Sequence, residues 1–405
     1  MNCYRLTWSA VFLLAIVPSI SAAEPAKRID AKDFPSLQAA VDALGPAGGL
    51  LTIPPGTYEI SQPIVIQSGE TRVEGSGSGT VIINKDSSGK PALIIQPPGI
   101  ENDKDAEIWR VQVGNLRITG NPKSGDAIHA RNVQEIFIQG VSADHNGGNG
   151  IHLDHCYEDP RISDCLMTYN GLAGLQITEC HDIVVNANQF EDNQDALRCI
   201  DSFNLCCNGN NIDDHKRHGI VVENTYGSVI SGNMIEECNG TAVILDRDCY
   251  GIAVSANVVA HHLGGGVDLK DANGCTISAN SFVLCHGFGL QASAESTRNS
   301  ISGNAFANTY IGGGKLKRPI LEHENKMQID AGAGVVLDGS TDTAITGNTF
   351  TGLDYEAVKA TNGAKRLLVT SNILAECGRR LEPSKPWIFI EDYAGSMIKE
   401  NLVSK

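Results

Sequence analysis

Glu223, Asp246 and Lys270 stand 23 and 24 residues apart, and Asp268 precedes the lysine by two. These residue types supply proton donors, proton acceptors and oxygen ligands. Carboxylates gathered in one place can hold Ca²⁺, and a lysine becomes a base when its pKa is depressed. A second group, His129, Arg131, His152, Asp154, His155 and Arg198, is spread over a similar interval. Residues so far apart in sequence meet only if the chain is wound in units of that length.

Such a unit is visible. The phrase apolar-x-small-Asn-x-apolar returns around Asn188, Asn210, Asn233, Asn257, Asn280, Asn304, Asn348 and Asn372, with a weaker copy at Asn401, mostly every 22 to 24 residues. A fixed period of this size marks stacked structural units. Within each period apolar and polar residues alternate, as one-sided burial of a strand requires. A phrase of glycine then apolar-x-apolar runs in phase, as in Gly150 to Leu153, Gly219 to Val222 and Gly266 to Leu269. A third strand leads into the asparagine phrase. The expected fold is all-β, a single-stranded right-handed parallel β-helix with three short strands per coil. The recurring asparagines read as an internal ladder rather than a sugar site.

In the strand after the glycine corner the alternate residues point outward. Its first outward column runs His129, His152, Gln176, Arg198, Val221, Ile244, Asp268, Gln291, Val336 and Lys359. The second runs Arg131, Asp154, Thr178, Ile200, Glu223, Asp246, Lys270, Ser293, Asp338 and Thr361. Glu223, Asp246 and Lys270 then span about 10 Å over three coils. Any one outward charge is ordinarily a solvated surface residue. The mixture of acids, bases and amides, walled by His218, His261, His262 and His286, suits a linear polysaccharide laid along or across the coils.

Residues 1–23 read as a signal peptide, with Arg5, an apolar run from Ala10 to Val17, and Ser21-Ala22-Ala23. The mature chain is therefore expected to be secreted or periplasmic, without a membrane segment, and monomeric. Residues 24–60 form an N-terminal cap, with a helix from Asp33 to Leu44 started by Pro35 and Ser36 and ended by Gly45. Residues 61–405 form the β-helix, and the long interval from Asn304 to Asn348 holds either a coil without the phrase or an inserted loop near 310–330. Thirty-one basic against 47 acidic residues give a net charge of −16, which argues against nucleic acid and repels polyanions at long range. Of 12 cysteines, Cys3 leaves with the signal. Most of the rest read as small buried fillers, and Cys156 and Cys180, one coil apart, are a pair that an oxidising compartment could bridge.

The helix, glycine turn, strand and Pro54-Pro55-Gly56-Thr57-Tyr58 turn, together with the repeats, resemble the pectate-lyase-like superfamily, which includes pectate lyases, polygalacturonases, alginate lyases and epimerases, and phage tailspikes. That resemblance implies a carbohydrate-active protein and three readings. In a polysaccharide lyase cleaving a uronate-containing glycan by β-elimination, Lys270 takes the proton, Glu223, Asp246 and Asp268 hold calcium, and Arg198 or Arg247 binds the uronate, with His152 and Asp154 beside the substrate. In a glycoside hydrolase Asp246 and Asp268 act as the paired carboxylates. The polygalacturonase set and the Asp-Pro-His-Asp signature of alginate epimerases are both absent. In the third reading the groove binds glycan, or another surface protein, without catalysis.

Overall fold

The computed structural model describes residues 27–308 and 332–404. The expected signal peptide, and the excursion expected near 310–330, lie outside them. The described chain is a parallel β-solenoid. One sheet of 13 strands runs from Ile64–Ile66 to Ile388–Ile390, and a second, 27-stranded assembly winds through the other two sides of the coils. Every coil stacks on the next in parallel register.

The alternation read in the sequence is the burial pattern. In Val184–Asn186, Val229–Ser231 and Thr276–Ser278 only the middle residue is buried. Phe282, Phe306 and Phe350 stack through the core, with ring centroids 4.6 and 4.9 Å apart. Each ladder asparagine bonds the next. Asn233 Nδ2 donates to Asn257 Oδ1 at 3.0 Å, and Asn257 Nδ2 donates to Asn280 Oδ1 at 3.0 Å. Asn304 Nδ2 reaches Asn348 Oδ1 at 3.0 Å, so no coil separates them and the 44-residue interval contains an insertion.

At the N-terminal end, strand Lys27–Asp30 pairs with Gly49–Thr52, which pairs with Thr71–Glu74. Helix Leu37–Leu44 covers the first coil with Leu37, Ala40, Val41 and Leu44. Its N-cap is Ser36, whose Oγ accepts the Ala39 N–H at 3.1 Å, and Gly45 ends it at φ 72°. All eleven described cysteines are free thiols, and all but Cys206 are buried. Cys156 and Cys180 are not bridged: the Cys180 sulfur accepts the Cys156 N–H at 3.3 Å, holding a ladder position as a small polarizable filler. Among the described residues no helix is long and apolar enough to cross a membrane.

Candidate functional site

The first outward column is one continuous register. His129 pairs with His152, His152 with Gln176, Gln176 with Arg198, Arg198 with Val221, Val221 with Ile244, and Ile244 with Asp268. A further column, three residues before each of these, was not singled out in the sequence. It runs Asp126, Asn149, Ala173, Asp195, His218 and Thr241. These residues sit at the corner where the chain enters the sheet; Asp126, Asn149, Asp195 and His218 each accept the backbone N–H of their counterpart in the next coil, while the Thr241 hydroxyl donates to the Gly264 carbonyl at 2.9 Å. Asn149 N donates to Asp126 Oδ1 at 2.6 Å, Ala173 N to Asn149 Oδ1 at 3.0 Å, His218 N to Asp195 Oδ1 at 3.0 Å and Thr241 N to His218 Nδ1 at 3.1 Å. The signal available in the sequence was a polar residue repeatedly placed three before the outward position.

Between these columns lies an open cleft of about 350 Å³, lined by Asn149, His152, Gln176, Gln194, Arg198 and Arg217 among others. Two of the expected substrate-binding residues, His152 and Arg198, meet there. The other two do not line it. Asp154 is bonded to His155 Nδ1 at 2.6 Å and approached by Arg131 at 3.5 Å. Arg247 turns back over the previous coils to Glu223 at 3.1 Å and Asp201 at 2.8 Å.

The cleft's arginines are held by buried charge. Asp195 is 1% exposed, bonds Arg217 through both oxygens and lies 3.2 Å from Arg198 Nη1. Burial would raise its carboxyl, but Arg217, the His218 N–H and Arg198 outweigh that and hold it below the usual range. Arg198 Nη2 also reaches Glu223 Oε1 at 2.9 Å. The His218 imidazole is pushed down, first by burial and then by Arg217, Lys270 and Arg198, against the pull of Asp195. With Nδ1 accepting a backbone N–H, its proton is assigned to Nε2.

The expected calcium set does not fit an ion. Glu223 gives one oxygen to Arg198 and the other to Arg247, so its charge is already neutralised. Glu223, Asp246 and Asp268 are also not among the groups of described residues whose ligand atoms converge within 4.8 Å. Glu223 does pair with Asp246, but the predicted column breaks at Lys270, because strand Val267–Leu269 ends one residue earlier. The corner Asp246-Arg247-Asp248-Cys249 carries one residue more than Glu223-Asn224-Thr225, and Lys270 N and Asp271 N both turn to the Leu245 carbonyl, at 2.9 and 3.4 Å.

Asp268 is 7% exposed, and its Oδ1 is out of solvent without a hydrogen-bond partner. Its carboxyl is raised, by burial first and by Asp246, while Lys270 opposes the shift. An anion left partly unbonded out of water is costly, which is the physical cause of that upward shift. Lys270 is exposed and forms no ion pair with a described residue. Asp246 is half-buried and accepts the Arg247 N–H at 2.8 Å.

The family model for the right handed beta helix region matches residues 72–227 and 195–306, and the chain belongs to that family. No curated protein matches the sequence. Among solved structures, the mannuronan C-5 epimerase AlgE4 A-module of Azotobacter vinelandii is similar at TM-score 0.60 and 16% identity, over 83% of this chain and 97% of that one. DFA-IIIase from Arthrobacter chlorophenolicus A6 is similar at TM-score 0.52 and 14% identity, over 93% and 98%. Gene product 12 of bacteriophage phi29 gives TM-score 0.69 at 12% identity, over 85% of this chain and 52% of that one. At these identities the likeness shows the β-helix fold alone and leaves the chemistry to the site.

Proposed function

We propose that this β-helix is an exported polysaccharide lyase that acts as a monomer on a uronate-containing glycan lying along the coils. The observation that carries the reading is the buried Asp268, its carboxyl raised by that burial, two residues before the exposed Lys270 and in the same outward column as the arginine-lined cleft. Arg198, Arg217 and His152 bind uronates upstream of the reacting sugar. The Nε2–H of His218, electrostatically coupled to both Arg198 and Lys270, donates to the reacting carboxylate. Lys270 takes the proton from the carbon beside that carboxylate, and its electrons form the new carbon–carbon double bond as the glycosidic oxygen leaves. Asp268 protonates the departing oxygen. One proton is gained by the lysine and one lost by the aspartic acid, so the pair is reset by exchange with water. The mannuronan epimerase module of the same fold, whose name carries a uronate chemistry, supports this substrate class.

A raised Asp268 facing Asp246 also matches the acid and second carboxylate of a hydrolase. Incubation with alginate, pectin and glycosaminoglycan separates the readings. Ultraviolet absorbance of an unsaturated uronate is the expected result. New reducing ends without that absorbance would favour hydrolysis, and binding without either product would leave a glycan-binding protein.

A further inference from the structure

Upstream of the arginines, Asp126, His129 and His152 form a group of which the glycan reading uses only His152. Asp126 is 8% exposed, and its two oxygens are used differently. Oδ1 accepts both the Asn149 N–H, at 2.6 Å, and Asn149 Nδ2, at 3.0 Å. Oδ2 faces His129 Nδ1 at 3.3 Å and His152 Nδ1 at 3.5 Å. The two imidazoles stand in adjacent coils with centroids 4.5 Å apart, and the three ligand atoms lie within 4.8 Å of one another.

These separations are long for N–H···O hydrogen bonds, whose usual range ends at about 3.2 Å. They match another geometry. Two ligands each about 2.1 Å from a tetrahedral ion stand about 3.4 Å apart. The Asn149 clamp is the outer-shell support that a ligating carboxylate requires, because it fixes one oxygen and leaves the other free. Two imidazoles and a single carboxylate select a borderline transition ion over calcium, which prefers a full set of oxygens.

We infer that Asp126, His129 and His152 form a binding site for a divalent transition metal of the Zn²⁺ class. His152 also lines the cleft, so the ion stands at the cleft's head with its remaining positions open to water or to an oxygen of a bound molecule. Binding of the ion does not depend on the lyase reading. Only its service as an anchor for a uronate carboxylate rests on that reading.

The test is titration of the metal-stripped full chain with Co²⁺, followed by visible d–d absorption. One equivalent with the intense bands of four- or five-coordinate Co²⁺, displaced by Zn²⁺, is expected. His129→Ala and the near-isosteric Asp126→Asn should each weaken binding by more than about a hundredfold, since loss of even an outer-shell partner costs 10- to 100-fold. Glu237→Gln, at the separate acidic corner of Asp213, Asp214, Glu236 and His261, should leave the spectrum unchanged. Weak octahedral-type absorption in the parent chain would overturn the assignment. So would bands that survive in Asp126→Asn or disappear in Glu237→Gln, with folding of each variant checked by circular dichroism. Because Co²⁺ is read without substrate, failure of the glycan reading leaves this result standing, and failure here leaves the elimination assay intact.

Discussion

Replacing Asn257 by alanine tests how much of the solenoid's stability the internal ladder carries. The side chain takes part in four bonds. Oδ1 accepts Asn233 N at 2.9 Å and Asn233 Nδ2 at 3.0 Å, and Nδ2 donates to Ile230 O at 3.0 Å and Asn280 Oδ1 at 3.0 Å. The site is buried, with Asn257 1% exposed, so water does not replace these partners freely. At about 1 kcal/mol net per bond the loss is about 4 kcal/mol, with the orphaned Asn233 N–H the costliest single consequence. Asn401→Ala is the internal control. It removes a similar set, from Asn372 N at 3.1 Å, Asn372 Nδ2 at 2.9 Å and to Val369 O at 3.0 Å, but at the half-buried last rung, where water can substitute. Its expected cost is about 1 kcal/mol. Native-state hydrogen exchange suits the measurement, because coils of a solenoid open locally and a single global transition is not assured. Protection of the Asn233 amide should collapse in Asn257→Ala and be unaffected in Asn401→Ala. Equal, small losses in both variants would show that the ladder is a packing motif with little energetic weight.

Asp195→Asn should release Arg198 and Arg217, destabilise the cleft by about 2 kcal/mol after discounting for the arginines' exposure, and weaken uronate binding, which calorimetry with oligouronates would record. The Asp195 carboxyl is held low in the folded state, so its stabilisation is present above the usual carboxylate range and fades as pH falls through the lowered value; denaturant melts of the parent chain should show this loss and those of Asp195→Asn should not. At the acidic corner the sign reverses. Burial first, then Asp214, Glu236, Glu237 and Glu191, push Asp213 up to about 6, so it favours folding in its protonated form and that benefit is lost as pH rises from about 4 through about 6. Asp213→Asn should therefore raise the melting temperature at pH 8 and change it little at pH 4. Gly266→Ala would drive a β-carbon into the Gly289 carbonyl and the Phe282 ring, and should lower soluble yield and melting temperature together.

The fold was legible because a solenoid repeats its physics. Most coils restate the inward apolar residue, the ladder asparagine and the glycine beside the next coil's backbone, so one reading is checked many times along the chain. The outward column from His129 to Lys359 followed directly, since parallel register converts a constant period into alignment. What failed was local. Strand Val267–Leu269 stops one residue short of Lys270, next to a corner that carries an extra residue at Arg247-Asp248, and a single insertion does not disturb a repeat of variable length enough to be noticed. The pairing of Glu223 with Arg198 and Arg247 depended on long side chains reaching across coils, which period alone does not specify. Asp126 precedes the strand, at a corner where the period-two alternation does not run, so that alternation does not mark it.

In the proposed lyase, Lys270 and Asp268 act as base and acid on a uronate glycan. The most direct test is the rate of unsaturated-uronate formation by the full chain and by Lys270→Ala on the best substrate of the panel. A rise is expected with the parent protein and a loss of at least about a hundredfold with Lys270→Ala, the scale of a removed general base, while circular dichroism stays unchanged. An undiminished rate in Lys270→Ala would contradict the assignment and return the search to the cleft at His152 and Arg198.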